Sequence, residues 1–301
     1  MPSPIIPTAA SPGPTASPRA TTPESGQLSA ENYRFLQQYI QRESGIALGD
    51  DKLYLIQARL LPVLAAEKLA SLDDLCAKLR APVSEALRRR IVESMTTHET
   101  LFFRDPQVFD TLRNHVFPEV IERRKTAKSM RVWSAACSSG QESYSLAMLL
   151  LELGLKDWNI EILGTDISNQ ILDRARAARY LQIEMNRGLP ASLLVKYFQR
   201  AGLEWQVKDD VRRMARFTTL DLRDNMTPLG YFDVVLCRNV LIYFDLETRK
   251  RIFAGMRGQM FPGAYLVLGS SETTFNLDAT FERKTMGGST VYQKPAAGGS
   301  Q

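Results

Sequence analysis

The hydrophobic period of this chain changes near residue 130, from helical spacing before it to strand-and-helix alternation after it. Arg131-Val-Trp-Ser-Ala-Ala136 reads as a strand, followed by a turn of small residues and a helix from about Gln141 to Leu153. Ile160 to Thr165 is the next strand, and Ser168 caps a helix running through Ala178. Further strands fall at Arg216 to Leu220, Phe232 to Cys237 and Ala264 to Gly269, with a helix near Glu247 to Gln259. Such alternation predicts an α/β fold whose mostly parallel, doubly wound sheet is covered on both faces. Phe281 to Thr285 and Thr290 to Gln293 flank Gly287-Gly288, which predicts an antiparallel terminal hairpin. One stretch breaks the alternation. Between about 180 and 214, Leu193 to Phe198 looks helical and Leu203 to Val207 alternates like a short strand, so a subdomain is inserted there.

Before the change of period, 28–95 reads as an all-helical domain. Tyr33, Leu36 and Ile40, then Leu53, Ile56, Leu60 and Leu64, recur at three- and four-residue steps. Asp50-Asp51, Ser71-Leu-Asp-Asp and Val83-Ser-Glu resemble helix starts. Residues 1–27, rich in Pro, Ser, Thr and Ala, are expected to be a disordered tail, 96–129 a linker, 130–295 the α/β domain and 296–301 a second tail. The tail has no Lys or Arg before Arg19 and no apolar run, so it is not a secretion signal. No stretch reaches the roughly 20 apolar residues needed to cross a bilayer. Three cysteines without a CxxC pair and two histidines exclude a disulfide framework and a zinc site and suit a reducing cytosol. A net charge of +5 favours an acidic partner surface but falls far short of a dedicated nucleic-acid binder.

In open α/β sheets the ligand lies beyond the carboxyl ends of the central strands. Here the first strand runs into Ala136-Cys-Ser-Ser-Gly140-Gln-Glu142. Small side chains admit a close ligand and Gly140 permits the turn, yet a single glycine is no pyrophosphate cradle. Glu142, at the start of the helix, would repel phosphate and pair with an ammonium group. It could equally do no more than complement the helix N-terminus. The second strand ends at Asp166, about 25 residues after the glycine turn, where an acidic side chain binds ribose hydroxyls. Ribose plus ammonium without pyrophosphate describes S-adenosylmethionine. The fourth strand leads into Cys237-Arg-Asn-Val-Leu-Ile-Tyr-Phe244, without the Asn/Asp-Pro-Pro-Tyr string of enzymes that methylate amino nitrogens. The segment Thr100-Leu-Phe-Phe-Arg104 is either a packed linker or a lid laying Phe102 or Phe103 on the site and aiming Arg104 into it.

Thr100-Leu-Phe-Phe-Arg104, Val132-Trp-Ser-Ala-Ala-Cys-Ser-Ser-Gly-Gln-Glu-Ser-Tyr-Ser145, Cys237 to Phe244 and Gly269-Ser-Ser-Glu272 together resemble the chemotaxis receptor methyltransferase (CheR) family, over about Leu28 to Tyr292. The resemblance implies a helical receptor-contact domain, a Rossmann-like S-adenosylmethionine-dependent methyltransferase domain with a β-subdomain insertion, and methylation of glutamate carboxylates. By motif position, His98, Thr100, Arg104, Ala136, Gly140, Glu142, Asp166, Asp221, Leu222, Arg238 and Asn239 line the cofactor site, and the catalytic pair is Arg104 and Tyr243. His98 stands where the family usually has Asn, Asp221 where some members have Asn, and Ser270 where His is common. The hairpin around Ala201 to Trp205 is short and lacks the Gly-rich loop of members that dock a receptor tether peptide.

A glutamate side chain ordinarily titrates at about pH 4.3, so its carboxylate is already a nucleophile at neutral pH and no general base is required. The expected partner is the cytoplasmic helical bundle of chemoreceptors, met by a monomer in the cytoplasm through Arg59 and the Arg88-Arg89-Arg90 run, without membrane insertion or nucleic acid. Two alternatives stand beside this reading. One is an RNA methyltransferase of the same fold using Cys137 or Cys237 as a thiol nucleophile; the other is a non-catalytic signalling adaptor.

Overall fold

A computed structural model of the chain describes residues 28–296; the N-terminal tail and the last five residues lie outside the described residues. Four helices come first: α1 (Ala30–Ser44), α2 (Leu53–Glu67), α3 (Leu72–Leu79) and α4 (Glu85–Met95). Three of them start on a serine whose hydroxyl accepts from a backbone N–H one turn on, Ser29, Ser71 and Ser84. The second begins after Lys52 without a side-chain cap, and Asp51 pairs with that lysine instead of the helix end. Leu36, Ile40, Ile56, Leu60, Leu75 and Ile91 close a core of their own.

The stretch 96–129, expected to be a linker, carries substantial structure. Pro106–Thr111 (α5), a π-helical turn at Leu112–Val116 and Phe117–Arg124 (α6) run on as one rod. Phe109, Leu112, Val116, Phe117 and Val120 bury their side chains in the main core. Two prolines hid this helix in the sequence: Pro106 sits in its first turn, where the missing N–H costs nothing, and Pro118 falls directly after the π-helical turn. Its last turn is fastened by Arg124, whose Nε donates to the buried Asp233 carboxylate at 2.6 Å.

The α/β domain follows the predicted order closely. β1 (Ser129–Ala135), α7 (Gln141–Glu152), β2 (Asn159–Asp166) and α8 (Asn169–Ala177) lead into the insertion. That insertion holds β3 (Arg179–Leu181), α9 (Gln182–Met185), α10 (Ala191–Tyr197), β4 (Phe198–Ala201), β5 (Glu204–Val207) and α11 (Asp209–Arg212). Its strands form a separate three-stranded antiparallel sheet in the order β3-β5-β4. Then come β6 (Ala215–Thr219), β7 (Phe232–Cys237), α12 (Leu246–Gly258), β8 (Met260–Leu268), β9 (Glu282–Met286) and β10 (Ser289–Gln293).

The main sheet has seven strands in the order β6-β2-β1-β7-β8-β10-β9, parallel through β8 and antiparallel in the last two pairings. Alternate residues of β7 serve opposite faces: Val234 and Leu236 pack on the side of α7, while Val235 and Cys237 pack against α12. The chain runs outward from β1 through β2 to β6, then returns to β7 on the other side of β1. The switch point therefore lies between β1 and β7, where such sheets open a crevice.

The helical domain is tied to this crevice by a small set of contacts. Arg223 donates to the carbonyls of Arg42 at 2.8 Å and Glu43 at 2.7 Å, the exposed acceptors at the end of α1. The Ala47 N–H donates to the Tyr243 carbonyl at 2.8 Å, and Gln41 reaches Asp245. Gly45 turns the chain at a φ of +77°, and a Cβ there would lie 2.7 Å from the Phe244 ring. Gly45→Ala thus combines a left-handed penalty with a clash at the domain junction. We expect it to cost about 1–3 kcal/mol, lowering the melting temperature by several degrees. A calorimetric scan with an unchanged midpoint would contradict this view of the junction.

Candidate active site

At the carboxyl ends of β1, β2, β6 and β7 lies a cleft of about 790 Å³, its open mouth included. His98, Ala136, Asp166, Asp221, Leu222, Arg238, Asn239 and Tyr243 line it. A side lobe of about 330 Å³ is lined by Thr100, Arg104 and Glu142, and shares Glu99, Ala136, Arg238 and Asn239 with the main cleft. Of the site residues expected from sequence, only Gly140 lines neither. Its φ of +90° starts α7, and a Cβ would press on Ala175 at 3.0 Å, so its work is in the turn beneath the site.

The floor is strained backbone. Ala136 and Ser138 both adopt left-handed φ values, 55° and 51°, in the turn after β1, and Asn239 does so at 59° after β7. Such conformations cost about 1–3 kcal/mol each and persist only when their surroundings over-determine them. Here the Ser138 N–H donates to Asp166 at 2.9 Å, and its hydroxyl donates to the His98 carbonyl at 2.9 Å. Asp166 is 6% exposed and accepts from the Ser138 and Ser168 N–H groups. Burial nevertheless raises its pKa above the ordinary carboxylate range, and burial lowers that of His98, which faces Asp166 and Glu93.

Glu142 does not wait as a free carboxylate for an ammonium group. Its Oε2 accepts from Arg238 at 2.9 Å and its Oε1 from the Ser134 hydroxyl at 2.7 Å. Arg238 also donates to Asp105 at 2.6 Å and to the Arg104 carbonyl at 2.8 Å. Its side chain is 2% exposed. Two carboxylates against one guanidinium leave this cluster with one net negative charge beside the side lobe. The Arg238 Nε is buried and has no hydrogen-bond partner among the described residues. An orphaned donor of this kind costs about 1–3 kcal/mol unless a ligand meets it.

The aromatic pair of the expected lid is not on the cleft. Phe102 is fully buried, edge-on to Tyr180 and Phe198 of the inserted subdomain, and Phe103 packs on Phe109. They anchor the segment that carries Arg104. The Arg104 guanidinium makes one hydrogen bond, to the Glu99 carbonyl at 3.0 Å, and has no carboxylate partner among the described residues. Arg59, expected on the receptor-facing surface, instead donates to the Met95 carbonyl and the Thr97 hydroxyl, fixing the strand of chain that walls the cleft.

Several site residues had no local signature. Ser44 and Ile46 reach the cleft from the helical domain, a contribution no short motif reveals. Glu272 is the more consequential. Its Oε1 accepts from the Val240 and Leu241 N–H groups at 2.9 and 2.7 Å, and its Oε2 from Asn239 and Gly269 at 2.8 Å each. One carboxylate thereby fixes the loop between Arg238 and Tyr243. The Gly-x-Ser-Glu string held the signal, but nothing in the sequence says what Glu272 touches.

Comparison with known proteins decides the family. The family model of the CheR methyltransferase SAM binding domain matches residues 98–289, and that of the CheR methyltransferase all-alpha domain matches 31–96. The chain belongs to the CheR methyltransferase family. A chemotaxis protein methyltransferase of Vibrio parahaemolyticus is 39% identical over 88% of this chain and 98% of its own length. The chemotaxis protein methyltransferase 1 of Pseudomonas aeruginosa is 37% identical over 88% of this chain and 99% of its own length. This CheR protein is accordingly an S-adenosylmethionine-dependent methyltransferase. Its cleft fits that cofactor: a buried acceptor for a ribose, an unpartnered guanidinium N–H for a carboxylate, and a negative cluster for an amino group.

Two outcomes follow. In Glu272→Gln a single acceptor oxygen faces four N–H groups, so affinity for S-adenosylhomocysteine should fall at least about tenfold in calorimetry. Unchanged affinity would show the loop to be held otherwise. If Asp166 accepts from the ribose hydroxyls in its ionised form, affinity should also weaken as pH falls, starting at a higher pH than an ordinary aspartate would set because burial raises its pKa. Asp166→Asn should bind weakly at every pH. A wild-type affinity equal to that of the variant, and equally insensitive to acid, would contradict the assignment.

Proposed function

We propose that this chain transfers the methyl group of S-adenosylmethionine to glutamate side chains in the cytoplasmic helical bundle of chemoreceptors, leaving S-adenosylhomocysteine and a glutamate methyl ester. The observation that carries this reading is Arg104, a guanidinium beside the cofactor cleft whose only partner among the described residues is a backbone carbonyl. Such a group suits a substrate carboxylate, which it can orient by a paired, charge-assisted bond. The relatives' names as chemotaxis protein methyltransferases agree with it.

When bound, S-adenosylmethionine supplies an electrophilic methyl carbon on a sulfonium centre. Asp166 would accept from the ribose hydroxyls, and Arg238 would lie on the side of the cofactor's amino-acid end. The net negative charge shared by Glu142, Arg238 and Asp105 attracts the amino group. The incoming glutamate is ionised at neutral pH, so the residues need only align it. Fixing two reactants in line supplies up to roughly 7–11 kcal/mol. Arg104 holds the substrate carboxylate. Tyr243, whose hydroxyl makes no hydrogen bond to a described residue, completes its placement beside the methyl group.

The thiol route of a cytosine methyltransferase has no support here. Cys137 is 2% exposed and Cys237 fully buried, and burial pushes both thiols well above their ordinary pKa, keeping them protonated. Nor does a mere adaptor account for Arg104, Glu142, Asp166 and Tyr243 gathering around one cleft. The β4–β5 hairpin closes through Gly202 and Leu203 alone, which supports receptor recognition without a tether peptide. Arg88, Arg89 and Arg90 stay about half exposed; Arg90 is paired with Glu67 at 2.7 Å, whereas Arg88 and Arg89 make only long pairs to Glu85 and remain available to an acidic bundle. On this reading the protein works in the cytoplasm as a monomer, without nucleic acid. No helix among the described residues is long and apolar enough to cross a membrane.

The test is transfer of labelled methyl to a receptor cytoplasmic fragment, released as methanol by base. Arg104→Ala should lower turnover by at least about a hundredfold, with affinity for S-adenosylhomocysteine within a few-fold of wild type. Equal losses in both would make Arg104 a cofactor ligand only. Absence of a base-labile product with the wild-type chain would overturn the function.

A further inference from the structure

Outside the reaction loop lies a second depression, of about 560 Å³, between the start of α12 and the segment after β8. Leu241, Ile242, Leu246, Phe275 and Leu277 give it an apolar lining, with Arg249 at its side. Ile242 is 45% exposed, Leu246 51% and Phe275 76%. Single exposed apolar residues are commonplace, but three around one groove mark a contact surface. The groove and the cofactor cleft share a single wall. Val240, Tyr243 and Phe244 face the cleft, while Leu241 and Ile242 of the same loop face the groove. Glu272 lies in this wall, its oxygens committed to the loop's N–H groups.

We propose that this groove seats the receptor helix that bears the glutamate to be methylated. The inference rests on the function proposed above and specifies where its substrate lies. A carboxylate delivered to Tyr243 belongs to a backbone that passes close to that residue, and the groove lies across the same loop. The charge agrees. Arg249 donates to the Phe244 carbonyl at 2.7 Å and Arg251 to the Thr248 hydroxyl at 3.1 Å, and neither lies within ion-pairing distance of a carboxylate among the described residues. Lys250, between them, is paired with Glu247. An apolar floor beside one guanidinium without a carboxylate partner, that of Arg249, fits a helix whose apolar stripe is flanked by glutamates. One helical turn advances about 5.4 Å, so neighbouring turns of that helix reach the groove and the site together.

The experiment uses the full chain with a receptor cytoplasmic fragment. Phe275 and Leu246 lie outside the cleft, so their replacement leaves the cofactor site alone. Phe275→Glu should raise KM for the fragment by about tenfold or more, the range for losing an aromatic anchor and adding a repulsive charge. Turnover at saturating fragment should stay within about twofold, and calorimetric affinity for S-adenosylhomocysteine should not change. Leu246→Ala should shift KM in the same direction by less. A wild-type enzyme that methylates the fragment, alongside a Phe275→Glu enzyme with the same KM, overturns the proposal and leaves the function standing. So does a Phe275→Glu chain that changes only its own self-association in light scattering, which would make the groove a contact between copies. Failure of the wild-type chain to methylate the fragment at all would instead strike the function.

Discussion

The site depends on one carboxylate meeting four backbone N–H groups. Glu272 holds Asn239, Val240, Leu241 and Gly269 together at 2.7–2.9 Å. Each bond to a charged acceptor contributes about 1.5–3 kcal/mol when desolvated, enough to keep a left-handed Asn239 in place. From that fixed point the chain aims Arg238 inward and carries Tyr243 to the cleft. Methyl transfer to a carboxylate asks for no acid or base, only for two reactants held in line. Rigidity of this loop is therefore the chief thing the protein can supply.

The second constraint is that the helical domain is part of the cleft. Arg223 binds both Asp221 and the carbonyl end of α1, and the Gly45 turn rests against Phe244. Arg59 of α2 secures the Met95–Thr97 segment that lines the opposite wall. The helical domain thus supplies part of the wall of the cofactor cleft and is fastened to the loops that supply the rest.

Much of this is legible in the sequence because it is written locally. Strand period, the Ser168 cap, the Gly287-Gly288 hairpin and the acidic end of β2 each occupy a few adjacent residues. The helix between Pro106 and Arg124 escapes such a reading because two prolines look like breaks, although Pro106 sits in the first turn and Pro118 directly after the π-helical turn. Phe102 and Phe103 read as lid residues because proximity to Arg104 suggests the cleft, whereas burial against Tyr180, Phe198 and Phe109 sets their role. Glu142 reads as an ammonium partner without its guanidinium, which lies 96 positions away. Glu272 stands in a recognisable string, but the string does not name its partners in the 239–241 loop, some 30 positions away, and the place of Ser44 at the cleft depends on how the helical domain docks.

The proposed methyl transfer requires one S-adenosyl ligand at the switch point between β1 and β7, and Asp166 and Arg238 are the residues proposed to hold it. Isothermal calorimetry of the purified chain with S-adenosylhomocysteine addresses that requirement without any receptor present. Saturable binding of one ligand per chain is expected, strongly weakened in Arg238→Met. A chain that releases no heat and shows no affinity for either S-adenosylhomocysteine or S-adenosylmethionine would contradict it.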